Sequence, residues 1–295
     1  MAVLNKFIVY IALCLVMLSC KRTIIIDVDD HEPELVVSGQ LIADSSLSLF
    51  LSATQNITDQ SGPSWVNNGF IEVYDKDTQL LDVLSNGVNG LYQSIAFKPK
   101  PNTNYLFKFY GLGKTAWVNE VMPDTFALKF IDSSRVVYKG VPNRFQITFQ
   151  VDQTRQNKPA YYGIKVKRHY FKVMGTDTQY FEDYASIASN DLILNEDSRS
   201  AYSTQHLLFS NRIVLANSQT YRINLEVDSA QQKTTALDLQ FSSMSQSGFN
   251  YFTSLYEHVF YQNNPFVQPN ALVGNVLGGY GALTGKIEKQ IRIRF

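Results

Sequence analysis

The sequence predicts a mainly β protein built of two antiparallel, Ig-like β-sandwich domains, the second carrying one helix near the C-terminus. Three observations carry the prediction. Strict two-residue alternation of apolar and polar side chains recurs along the chain, as half-buried antiparallel strands require. Seventeen tyrosines and 19 phenylalanines stand against only two tryptophans, a balance that favours sheet over helix. Polar turns such as Ser85 to Gly90 and Pro99 to Asn104 separate the alternating runs at short intervals.

Residues 1–19 form the first element, a signal peptide. Lys6 precedes an apolar stretch from Phe7 to Leu18, about a dozen residues where a membrane-spanning helix needs about 20. Ser19 directly before Cys20, with Leu18 and Met17 before it, is the pattern of a bacterial lipobox. The expectation is cleavage before Cys20 and acylation of its thiol. Cys14 is the poorer choice, because bulky Leu13 occupies the position that must be small. With Cys20 capped by lipid, the mature chain has no second thiol for a disulfide. Each buried methylene of an acyl chain contributes roughly 0.8 kcal/mol, so two or more chains hold such a protein at the membrane with no hydrophobic segment in its body.

Residues 20–34 read as a tether. Asp27, Asp29, Asp30, His31, Glu32 and Glu34 offer oxygen ligands, but no glycine stands at the turn of an EF-hand loop, and a solvated leash is expected. Fully extended, Lys21 to Glu34 reaches on the order of 45 Å. No metal and no cofactor is expected.

Residues 35–123 form the first predicted domain, with strands in "ELVVSGQL", "LSLFLS", "FIEVYD" and "YLFKFY". The boundary is placed in "VMPDT", Val121 to Thr125, and residues 124–295 form the second. There "RFQITFQV" sets Phe145, Ile147, Phe149 and Val151 on one face, and "YRINLEV" does the same with Tyr221, Ile223, Leu225 and Val227. "YYGIKVKRHYFKV", "LLFSNRIVL", "ALDLQF" and "KIEKQIRIRF" add further strands. The period changes at about 246–261, where Phe249, Phe252, Tyr256, Val259 and Phe260 fall at helical spacing behind capping serines, and the helix is expected to cover a sheet. Asn263 to Gly285, rich in glycine and asparagine, reads as an irregular loop.

The composition excludes some functions. Twenty-six basic residues balance 26 acidic ones, which argues against a nucleic-acid partner. There is no G-x-S-x-G elbow and no H-E-x-x-H, and His31, His169, His206 and His258 are scattered. His169 is expected on a solvated face. "GNVLGGYG" lacks the Gly-Lys-Ser/Thr of a phosphate loop. Carboxylates such as Glu182, Asp183, Glu196 and Asp197 are no more than any sequence offers. A non-enzyme is the expectation.

The lipobox with "IDVDDHEPELVVSGQL", "GLYQS", "NTNYLFKFYG", the helix running into "NNPF", and "NVLGGYGALTG" together resemble a family of uncharacterised Bacteroidota lipoproteins. Such proteins are commonly encoded beside TonB-dependent outer-membrane receptors of the SusC type. The resemblance implies an outer-membrane protein, lipid-anchored through acyl groups such as palmitate on Cys20, that serves as accessory to a SusC-like TonB-dependent receptor in nutrient capture or uptake. It brings no catalytic residues. Lys21 and Arg22 directly after Cys20 leave open whether the protein faces the surface or the periplasm. The expected contact residues are Trp65, Asn264, Pro265, Phe266, Gly278, Gly279 and Tyr280. The alternative is direct binding of a glycan or peptide, with Trp65 or Trp117 as the platform.

Overall fold

The computed structural model describes residues 32–56, 59, 61–85, 87–153, 158–175, 177–196, 205–212, 218–227, 232–262, 264, 266–268 and 270–295. The stretch read as a signal peptide, Cys20 and the tether up to His31 lie outside them, as do Pro265 and Asp197. Pro33–Gln55 and Gln60–Phe295 make one compact unit. A second comprises Met1–Glu32 and Asn56–Asp59, within which the Asp59 amide donates to the Asn56 carbonyl at 2.9 Å.

The chain is mainly β. Its first strands are β1 (Leu35–Ile42), β2 (Leu47–Ala53), β3 (Ser64–Trp65), β4 (Phe70–Asp75), β5 (Leu80–Ser85), β6 (Leu91–Ser94), β7 (Asn104–Gly111) and β8 (Lys114–Val121). Then come β9 (Phe126–Tyr138), β10 (Val141–Gln153), β11 (Tyr161–Met174), β12 (Asp177–Tyr184), β13 (Ile187–Ala188) and a short helix α1 (Leu192–Glu196). The last elements are β14 (Leu207–Ser210), β15 (Ser218–Glu226), β16 (Gln232–Met244), helix α2 (Gln246–Tyr261) and β17 (Tyr280–Arg294).

The largest sheet runs β12-β11-β16-β17-β1-β2-β3, with β14 paired to β11 and β6 to β2. Two four-stranded sheets, β5-β4-β7-β8 and β13-β15-β10-β9, complete the set. The alternating sequences explain the packing. Leu47, Leu49 and Leu51 of β2 point one way and join Ile71, Val73, Phe107, Phe109, Ala116 and Val118 in one apolar cluster. Phe145, Ile147, Phe149 and Val151 of β10 join Tyr162, Ile164, Leu239 and Phe241 in another. Phe241 sits at the centre of the second, with ring centroids 5.2 Å from Phe126, 5.7 Å from Phe149 and 5.2 Å from Tyr162.

One pairing departs from the antiparallel expectation. β17 lies parallel to β1, Val36 opposite Tyr280 through Ile42 opposite Lys286, and antiparallel to β16. The first cluster otherwise ends at Met122 in chain order, yet Leu283 of β17 belongs to it, while Ile287 belongs to the second. One strand thus runs behind both cores, which the linear pattern of alternation could not reveal. The stretch read as loop to Gly285 is therefore already strand from Tyr280 on. Its glycines hid the alternation, and they are there because β1 comes so close. A Cβ on Gly281, whose φ is +97°, would sit 2.0 Å from the Val37 carbonyl oxygen.

The helix falls at Gln246–Tyr261, capped by Ser245, whose hydroxyl accepts from the Gly248 amide at 3.1 Å. Phe249 packs with Tyr161, Leu208 and Met244 on the face of the large sheet that points away from the second core, and Phe252 and Tyr256 lean on that cluster. Val259 and Phe260 do not follow them inward and remain exposed. The short helix α1 lacks any period long enough to be read from sequence.

Candidate functional site

Strand β8 alternates Ala116, Val118 and Glu120 inward, so a carboxylate occupies a position that the pattern reserves for an apolar side chain. Glu120 is 1% exposed. It is tolerated because three elements supply donors. The Gly285 amide of β17 donates to Oε1 at 2.6 Å, and Ser247 Oγ at the start of α2 donates to Oε2 at 2.6 Å. Asn275 Nδ2, from the chain between α2 and β17, donates to Oε2 at 3.0 Å. Burial raises the Glu120 carboxyl above its usual range, while Ser245, Ser247, Gly285 and Asn275 pull it back. The helix N-terminus also favours negative charge there. Beside this junction opens a crevice of about 400 Å³ lined by Glu120, Met122, Phe126, Tyr161, Tyr162 and Ser245 among others.

From Asn275 the clamp extends through the chain that links α2 to β17. Asn275 Nδ2 also donates to the Leu283 carbonyl at 2.7 Å, and the Leu283 amide returns a bond to Asn275 Oδ1 at 3.0 Å. Leu277 and Trp117 exchange both backbone hydrogen bonds at 2.9 Å. The Val273 amide donates to Ser254 Oγ at 2.9 Å, His258 Nδ1 to the Asn270 carbonyl at 2.9 Å, and Asn270 Nδ2 to Glu257 at 3.0 Å. A segment without regular structure is fixed in this way to the helix, to β8 and to β17. Val276 packs against the first core, but most of the segment's apolar side chains point outward: Phe266 is 95% exposed, Leu277 57% and Tyr280 58%, with Leu272 and Val273 also exposed.

Of the residues singled out in the sequence, Asn264, Phe266, Gly278, Gly279 and Tyr280 all belong to this segment or to the strand it enters. Asn264 Oδ1 accepts from the Phe266 amide at 3.1 Å and so builds the turn that presents the ring. Gly278 and Gly279 serve the chain itself: a Cβ on Gly279 would be 2.5 Å from the Leu35 carbonyl oxygen, and one on Gly278 2.8 Å from that of Thr115. Trp65 stands apart. It lies on β3, with β1 and β2 between it and β17, roughly 14 Å away at the usual strand spacing. It packs beside Phe50, ring centroids 5.8 Å apart, and against Gly90. Trp117, whose backbone is bonded to Leu277, is half exposed.

Of the carboxylates weighed as a glycosidase pair, Glu182 and Asp183 are committed elsewhere, while Asp197 and the Glu196 side chain lie outside the described residues. Asp183 takes both Arg168 Nε at 2.9 Å and Nη2 at 2.7 Å, and Glu182 pairs with Lys167 and, at 2.9 Å, with His169 Nδ1. His169 also meets Asp238 through Nε2 at 2.8 Å, so it is held between two acids and largely covered, where a solvated face was expected.

His206 was not singled out, and it is buried. Its Nδ1 is hydrogen-bonded to the Tyr256 hydroxyl of α2. Burial, reinforced by Lys165 and Lys286, lowers His206 to about 3, and burial pushes Tyr256 up to about 12. The folded state therefore keeps His206 neutral while the unfolded chain binds its proton near 6.5, so stability falls as pH drops from about 6.5 toward 3. Replacing His206 with Gln is expected to flatten that acid limb by about 1 kcal/mol for each pH unit, read from urea unfolding at pH 7, 5 and 4. Equal slopes in both proteins would contradict it.

With this geometry in place, the comparison with known families is decisive on one point. A family model described as a domain of unknown function, DUF4249, matches residues 21–292. The chain belongs to the DUF4249 family. No curated protein matches it. Among solved structures the chain is similar to a "Biofilm associated protein - BSP domain", with 8% identity and a TM-score of 0.19. That alignment covers 92% of this chain and 62% of the other, so the chain spans less than two thirds of the length of the structure it matches. In this DUF4249 chain, Glu120, Asn275 and Gly285 all fall inside the matched region, as does the whole outward-facing segment. Among its described residues no helix is long and apolar enough to cross a membrane.

Proposed function

We propose that this protein is an outer-membrane lipoprotein, acylated at Cys20, that docks onto a SusC-like TonB-dependent receptor and assists it in nutrient capture or uptake. The observation that carries the docking reading is the segment between α2 and β17. Residues 270–277 are held by nine hydrogen bonds to α2, β8 (Glu120 included) and β17, yet Leu277 and, on either side of them, Phe266 and Tyr280 face solvent. An apolar surface fixed in place before binding loses little conformational freedom on association, and aromatic side chains on such a surface are where interface energy concentrates. The body behind it is taken to be two Ig-like sandwiches that share β17, a reading supported by the two apolar clusters. For the anchor, the support is the lipobox at Ser19–Cys20 and a family match that begins at Lys21.

The test is co-purification from membranes solubilised in mild detergent. The wild type is expected to elute with a TonB-dependent receptor barrel identified by mass spectrometry. The combined variant Phe266→Ser, Leu277→Ser and Tyr280→Ser is expected to remain membrane-bound and to lose at least nine tenths of the barrel, whereas Cys20→Ala leaves the membrane fraction altogether. A barrel that never co-elutes, or that elutes equally with the triple variant, refutes the docking reading. Saturable glycan or peptide binding to a protein that brings down no barrel would favour the direct binder.

A further inference from the structure

On the face of the large sheet that α2 covers in part, beside the helix, lies a second pocket of about 220 Å³. Four strands floor it: Gln40 comes from β1, Gly163 and Lys165 from β11, Gln240 and Ser242 from β16, and Lys286 from β17. His206 and Phe252 form part of its wall. Its depth depends on Gly163, where a Cβ would sit 2.6 Å from His206 Nε2 and 2.9 Å from Ser242 Oγ.

The charges in this pocket do not balance. Lys286 is paired with Glu288 at 2.7 Å. Lys165, half-buried, has no carboxylate within ion-pair distance among the described residues, and its ammonium lies only over the Tyr184 ring, 5.7 Å from the centroid. Two ammonium groups thus share one acid. Burial, and then the charge of Lys286, depress the Lys165 amine below its ordinary value. His206 is kept neutral by burial and adds no charge. The side-chain amides of the half-buried Gln40 and Gln240 and the Tyr184 hydroxyl form no hydrogen bond with the described residues. A half-buried cation that must share Glu288 with a second cation is incompletely neutralised, and donors not engaged by the described residues are available to a ligand.

We propose that this pocket binds the oxyanion of a small ligand, a carboxylate or a phosphate group, with Lys165 as its principal charge partner and Gln40, Gln240 and Tyr184 as neutral donors. Charge-assisted hydrogen bonds from a lysine and convergent amide donors are the chemistry that such a group selects. The volume limits the bound part to a few heavy atoms beyond the oxyanion. The site is independent of the docking segment, and either could fail without the other.

The test uses the full-length lipidated protein in detergent, with thermal unfolding followed at fixed ionic strength in chloride, in succinate and in inorganic phosphate. At least one of the two oxyanions is expected to raise the midpoint in a saturable manner, and which one does so identifies the group preferred. Lys165→Met is expected to unfold at a higher temperature than wild type in chloride and to weaken the oxyanion response at least tenfold. Should that variant not fold, Gln240→Ala is expected to weaken it about fivefold, the equivalent of one neutral hydrogen bond. No response to either oxyanion, or the same response in wild type and variants, overturns the proposal.

Discussion

Replacing Gly281 with valine is expected to lower stability by about 4 kcal/mol or more, a loss reserved for a short list of mechanisms. Two of them coincide at this residue. Its φ of +97° lies where side chains other than hydrogen are strained, and any Cβ would collide with the Val37 carbonyl oxygen 2.0 Å away. Val37 is the residue directly opposite Gly281 in the parallel pair, so the collision cannot be relieved without parting β17 from β1. For a chain of this size the unfolding midpoint should fall by on the order of 10 °C. Gly62, with nothing within 4 Å of its Cβ position, is the control, and Gly62→Ala should stay within about 0.5 kcal/mol of wild type. Denaturant unfolding checks both; a Gly281→Val protein as stable as the control would remove β17 from the role of common strand.

Glu120→Ala is expected to cost about 2–4 kcal/mol, less than a wholly unpaired buried charge network would suggest. Each donor around the carboxylate keeps a second partner: Gly285 N has Ser245 Oγ at 3.2 Å, Ser247 has Ser245 Oγ at 2.9 Å, and Asn275 has the Leu283 carbonyl at 2.7 Å. The loss is therefore of charge-assisted bonds and of side-chain volume, partly offset because a carboxylate no longer has to be kept from water. Its sharper consequence is local. Without Oε2, the Asn275 side chain is tied to β17 alone, and the segment carrying Leu277 keeps its hydrogen bonds to β8 only through the backbone pair with Trp117. Amide exchange at Asn275 and Leu277 should rise more than at Phe109 in that core. Uniform acceleration would mean that Glu120 acts only on global stability.

These two residues also show what the sequence could and could not convey. β10 and β15 alternate without a break, so their inward faces were legible residue by residue, as was the helical stripe beginning at Phe249. β17 was legible only from Lys286 onward. In "YGALTG" the glycines that allow β1 and the Glu120–Met122 stretch to approach are the same residues that erase the alternation, so the strand's most important half looked like loop. Its parallel partner is separated from it by most of the chain, and no local pattern encodes that pairing. Glu120 did leave a trace: in "KTAWVNEV" an acid falls in phase with Ala116 and Val118. Its partners come from elements that converge only in three dimensions. His206 had no such trace, since nothing near it in sequence anticipates Tyr256.

The outward-facing aromatic residues were legible as unusual but not as ordered. Glycine and asparagine in Asn263 to Gly285 suggested an irregular loop, whereas Asn270 and Asn275 use their side-chain amides as clamps and Gly278, Gly279 and Gly281 allow close approach. Trp65, read as a contact residue on a separate loop, lies on β3 at an edge of the large sheet.

The most direct measurement is site-specific photo-crosslinking in intact cells, with the probe placed at Phe266 or at Tyr180, an exposed residue of β12 far along the sheet from β17. The account predicts a covalent adduct between the Phe266 probe and a TonB-dependent receptor barrel, and none from Tyr180. Adducts from both positions alike, from Tyr180 alone, or from neither would contradict it.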